Sequence, residues 1–137
     1  RWPFKAKEFD YVVALELLEH LFKPETLLQK IAKTTNKYAI FSAPNAAYIK
    51  NRIQLLFGKV PTAAAFRNGQ HLQHWNFKDF IQLIEGEFEI INFAALGSLP
   101  PFTRFLSFKA REMLGKMWPN LLGEGFVVKA KPKQVKA

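Results

Sequence analysis

An α/β fold, with a mainly parallel sheet and flanking helices, is predicted by three features of this 137-residue sequence. Short apolar runs alternate with stretches of helical periodicity. The first run is continuous rather than alternating, as in a strand covered on both faces. Polar residues gather where the first two runs end, which is where open parallel sheets hold ligands.

Phe9-Asp10-Tyr11-Val12-Val13-Ala14-Leu15 is that first run and reads as a buried strand. Pro24 then opens a helix, with Glu25 in its first turn and Lys30 and Lys33 near an end expected at Asn36. Leu27, Leu28 and Ile31 form its apolar face. Tyr38-Ala39-Ile40-Phe41 reads as a second strand. Asn45 is positioned to cap a helix with Ile49, Ile53, Leu56 and Phe57 on one stripe, stopped at Gly58. Lys59 to Trp75 lacks periodicity and reads as a long connection of the kind that serves as a lid or stays mobile. Asn76, with Asp79 three residues on, caps a helix carrying Phe77, Phe80, Ile81 and Ile84 up to Gly86. Phe88 to Ala95 is a third strand, Pro100 to Trp118 a basic amphipathic helix, and Gly125 to Ala130 a fourth strand. One domain over 1–130 followed by a basic disordered tail over 131–137 is the expected organisation.

Composition narrows the function classes. With 49% hydrophobic and 23% charged residues the chain can bury enough apolar surface to fold. The absence of cysteine excludes disulfide frameworks and thiolate sites, and favours a cytoplasmic, reducing environment. The formal charge of +9 owes four positives to Lys129, Lys131, Lys133 and Lys136 near the end. The other bases are dispersed, so a nucleic-acid partner is not expected. Gly-rich phosphate loops, nucleophile elbows and zinc-protease helices are all missing.

Glu16, Glu19 and His20 directly follow the first strand. One reading makes them ligands of a divalent ion such as Mg2+, or lets one act as a general base; another makes them a solvated turn before Pro24. His71 and His74 lie three residues apart ahead of a helix, without the Cys/His set of a structural zinc site. The helix from Pro100 has three readings: core packing, a lid over an apolar substrate, or contact with a membrane surface.

The run Phe9 to Leu21, with Glu16-Leu17-Leu18-Glu19-His20, then Pro24-Glu25-Thr26-Leu27-Leu28 and Ile40-Phe41-Ser42-Ala43-Pro44-Asn45, resembles the second half of class I S-adenosylmethionine-dependent methyltransferases. The similarity continues through His71-Leu72-Gln73-His74-Trp75, and Asn45 to Gly58, with Arg52-Ile53-Gln54-Leu55-Leu56-Phe57-Gly58, resembles the MetW-like branch. The resemblance implies a partial Rossmann-like fold: strands four to seven, with the seventh antiparallel and the fourth an open edge. It also implies that the Gly-rich turn and acidic residue by which the family binds its cofactor lie outside this sequence, leaving these residues inactive alone.

By the same resemblance, Ala14, Leu15 and Glu16 would lie beside the methionyl end of S-adenosylmethionine. Glu16 or His20 would be the catalytic base. In relatives that use a metal, Glu16, Glu19, His20 and His71 match the ligand positions. The implied partner is a small-molecule methyl acceptor, with self-association through the exposed edge of the fourth strand. The alternative function is a non-catalytic module that binds a protein partner or an anionic membrane surface.

Overall fold

The computed structural model describes residues 2–61, 71–96 and 105–133. Four strands form one sheet in the order β1 (Phe9–Ala14), β2 (Thr35–Pro44), β4 (Gly125–Pro132), β3 (Phe88–Leu96). β1 and β2 are parallel, whereas β4 runs antiparallel to both its neighbours. Three strands therefore point one way and the last is reversed, the arrangement that the resemblance implies for strands four to seven. Five helices are described: α1 (Pro24–Thr34), α2 (Ile49–Leu56), α3 (Phe77–Glu85), α4 (Phe108–Met117) and the short α5 (Pro119–Leu122).

α1 ends two residues before the expected Asn36, for a local reason. The Thr34 hydroxyl donates to the carbonyls of Lys30 and Ile31, and the Thr35 hydroxyl donates to that of Ile31 at 2.7 Å. The Ile31 carbonyl also accepts from the Thr35 N–H, so the hydroxyls reinforce the last turn as the helix stops. The β-branched pair hands the chain straight into β2, which is longer than the predicted Tyr38–Phe41. α3 begins as expected: Asn76 Oδ1 accepts from the Asp79 backbone N–H at 3.1 Å.

One face of the sheet carries the core. Ala39, Phe41, Ala43, Phe126, Val128 and Ala130 are all completely buried there, beneath Leu28 and Ile31 of α1 and Phe80 and Ile84 of α3. Edge-on ring contacts, such as Phe41 with Phe88 at 5.1 Å and Phe77 with Phe126 at 5.1 Å, fill it. The opposite face is open toward β1, where Tyr11 is 59% and Val13 57% exposed.

Several expectations are corrected. Asn45 does not cap α2, whose N-cap is Tyr48. The predicted stripe on α2 is not a core face: Ile53, Leu56 and Phe57 are exposed, and the buried positions are the polar Tyr48 and Asn51. α4 starts at a Ser107 cap, and residues 97–104, which include the expected start at Pro100, lie outside the described residues. Its Met113 and Met117 are exposed rather than packed. β4 continues through Pro132, and Lys133 donates to the carbonyls of Glu87 and Glu85, so order extends past the expected tail boundary at Ala130. Residues 134–137 of that tail, and 62–70 of the connection, lie outside the described residues.

Candidate functional site

The carboxyl ends of β1 and β2 lie side by side, and the polar residues after them form one corner. Ala14 is buried, Leu15 and Glu16 are exposed, and Glu16 sits at φ +47°, a left-handed conformation that costs a non-glycine residue about 1–2 kcal/mol. Ser42 holds it there: the Glu16 N–H donates to Ser42 Oγ at 2.9 Å, and Ser42 Oγ donates to Glu16 Oε1 at 2.8 Å. The turn re-aims the chain so that Leu18 plugs the core while the carboxylate stays at the rim.

Leu18–His20 form a single 3-10 turn. Glu19 is completely buried, and neither of its carboxylate oxygens has a hydrogen-bond partner among the described residues. Its backbone carbonyl accepts from the N–H groups of Leu72 and Gln73, at 2.7 and 3.0 Å, and so ties the His71–Trp75 segment to the corner. Burial pushes the Glu19 carboxyl above the usual carboxylate range, and the nearby Glu16 charge adds to the rise.

This tie brings the histidines to the acids. Ligand atoms of Glu19, His20 and His71 all lie within 4.8 Å of one another. The His20 and His71 rings meet edge-on at 4.8 Å, and His74 lies 6.3 Å from His71 between ring centres. Burial and the neighbouring His71 both lower the His74 pKa. Three of the four residues expected as metal ligands are thus gathered; Glu16 falls outside the group and is held by Ser42.

Beside this corner opens a cleft of about 450 Å³. Glu16, His71 and His74 line one part, and Tyr48, Asn51 and Glu124 another. The last three are missing from the sequence-based site. Asn51 stands between Lys50 and Arg52 in a helix that is half polar, so nothing in the sequence sets it apart; its burial shows only in the structure.

Asn45 assembles the cleft walls. Its Nδ2 donates to the carbonyls of Gly123 at 2.7 Å, Asn120 at 3.0 Å and Pro119 at 3.3 Å, which lie at the end of α5. Its Oδ1 accepts from the Ala47 N–H, its own N–H donates to the Glu124 carbonyl, and it bridges to Trp75. The end of β2, the histidine segment and the start of β4 are therefore joined at one residue: its backbone meets Trp75 and Glu124, and its side chain holds α5 and Gly123. Gly123 is required at this junction, because a Cβ there would stand 2.8 Å from that of Ala95.

The sheet order, the single reversed strand and a polar cleft at the strand ends define the fold of S-adenosylmethionine-dependent methyltransferases, and solved structures agree. A methyltransferase of this kind from Archaeoglobus fulgidus superposes with a TM-score of 0.61 at 16% identity, over 95% of this chain and 62% of that one. The small RNA methyltransferase HEN1 gives 0.60 at 18% identity, over 99% and 15% respectively. The cyclase SpnF gives 0.56 at 12%, over 94% and 52%. The chain spans about three fifths of the length of the first three similar structures. No curated protein matches the sequence. The sequence profile described as "Methionine biosynthesis protein MetW" matches residues 2–128. The chain belongs to the MetW family.

Proposed function

We propose that the polypeptide to which these residues belong transfers a methyl group from S-adenosylmethionine to a small-molecule acceptor in the cytoplasm, and that they build the acceptor-side wall of its site. The observation that carries the reading is the cleft at the ends of β1 and β2, which brings Glu16, His71 and His74 to one opening beside a buried, unpartnered Glu19. When bound, S-adenosylmethionine supplies an electrophilic methyl carbon on a sulfonium sulfur.

Ala14, Leu15 and Glu16 would face that group from the end of β1. Ser42 fixes the Glu16 carboxylate in one orientation. Where no ion is bound, His20, exposed beside the cleft corner, would accept the proton that the acceptor hydroxyl or amine loses on methylation. Glu16 is the second candidate for this role. Glu19, His20 and His71 would suit a divalent ion, because their ligand atoms lie within 4.8 Å of one another and a cation there would offset the burial of the Glu19 carboxylate. Such an ion would lower the pKa of a bound acceptor hydroxyl.

These residues alone are inactive in this reading, since the Gly-rich cofactor turn lies outside them. The exposed β1 edge supports pairing with further strands, or with a second copy of the chain. The test is His20→Ala in the full-length protein: a fall of about 10²-fold or more in kcat, with cofactor affinity retained, is expected. Unchanged methyl transfer in both His20→Ala and Glu16→Gln would remove the assignment.

A further inference from the structure

We propose that α2 seats this protein on an anionic lipid bilayer. On the helix, Arg52, Leu56, Ile53, Phe57 and Lys50 follow one another around a single side. Leu56 is 81% and Phe57 74% exposed, and Val60 just beyond is 60% exposed. An apolar ridge of this kind on a soluble surface marks a contact. Its charged neighbours Lys50, Arg52 and Lys59 are all basic and exposed, and no Asp or Glu occurs anywhere between Glu25 and Asp79.

Charge complementarity selects the occupant. A ridge of protruding apolar side chains flanked only by cations fits the boundary between anionic headgroups and acyl chains, where the side chains insert and the bases stay among the headgroups. Another side of the same helix faces the cleft, which buried Tyr48 and Asn51 line with Gln54 and Lys50, while Leu55 stays exposed. Docking through α2 therefore sets the cleft close to the lipid surface. No described helix is long and apolar enough to cross the membrane, so the contact is interfacial.

Co-sedimentation of the full-length protein with lipid vesicles tests this. It is expected to pellet with phosphatidylcholine vesicles that contain phosphatidylglycerol and to stay in solution with phosphatidylcholine alone. Leu56→Ser with Phe57→Ser should weaken binding by about tenfold or more, as expected for removing two inserting side chains. Lys59→Glu should weaken it less, in a salt-sensitive manner. Both substituted side chains of the double variant are largely outside the fold, so an unchanged thermal melt checks that it remains folded. The control is Met113→Ser with Met117→Ser on α4, the other exposed amphipathic helix, which should bind as the parent does.

Absence of binding to anionic vesicles would overturn the proposal. So would binding unaffected by Leu56→Ser with Phe57→Ser, which would mean adsorption by net charge, or binding lost in the α4 variant instead. Concentration-dependent dimerisation abolished by the α2 variant, without vesicle binding, would assign the ridge to a second copy and equally overturn it.

Discussion

The two faces of the sheet differ in what covers them. On one face, Ala39, Phe41, Ala43, Phe126, Val128 and Ala130 have no exposed surface, because α1 and α3 return over them. On the other, Tyr11 and Val13 are more than half exposed although they belong to a run as apolar as any core strand. The difference teaches that the first face is closed by elements within these residues, whereas β1 is a two-sided strand with cover on one side only. That asymmetry agrees with a chain spanning about three fifths of the structures it resembles. The polar corner is built at the seam, from the end of β1 on the open edge and β2 beside it.

Substitutions sharpen the contrast. Phe126→Ala removes a ring packed against Phe77 and Phe80 on the closed face, and should cost about 3–5 kcal/mol in chemical denaturation. Asn45→Ala leaves the carbonyls of Gly123 and Asn120 without their donor, and should cost about 2–3 kcal/mol. It should also loosen α5 against the end of β2 while the α1 side of the core stays intact. Val13→Ala on the open face should change stability by less than about 0.5 kcal/mol. A loss at Val13 comparable to that at Phe126 would mean that the open face is covered in solution.

Glu19 offers a pH-dependent test between these extremes. Burial raises its folded pKa above the ordinary 4.5, so the folded state keeps the proton to higher pH than the unfolded chain does. Its contribution to stability is complete below pH 4.5 and is lost as pH rises through the folded pKa. His74 acts oppositely: its lowered folded pKa gives stability that is present above 6.5 and lost as pH falls. The difference between the parent and Glu19→Gln isolates the first effect. The variant should show the smaller decline in unfolding free energy between pH 4.5 and neutrality, and should gain nothing from added Mn2+. Parallel pH profiles for the two proteins would contradict the burial of an unpartnered Glu19.

Much of the fold was legible because it rests on local rules. The continuous run to Ala14, Pro24 at the start of α1, and the Asn76 cap each follow from residues within one turn of the feature they explain. The corner Glu16–His20 and the histidines were visible as polar residues after apolar runs. What escaped depends on distant partners. Asn45 has the chemistry of a cap, but its amide is captured by carbonyls at the end of α5, a contact that no window around Asn45 contains. Ile53, Leu56 and Phe57 have the spacing of a core face, yet spacing says only that residues share a side, not which side meets the sheet. The left-handed Glu16 depends on Ser42 in the neighbouring strand and leaves no mark in its own segment.

The central claim is that these residues form the acceptor-side part of a methyltransferase site whose cofactor-binding part lies elsewhere in the polypeptide. Isothermal titration with S-adenosylmethionine tests it most directly. No saturable binding is expected for the 137-residue chain, and one-to-one binding for the full-length protein. Tight, stoichiometric binding by the 137 residues alone would contradict the claim.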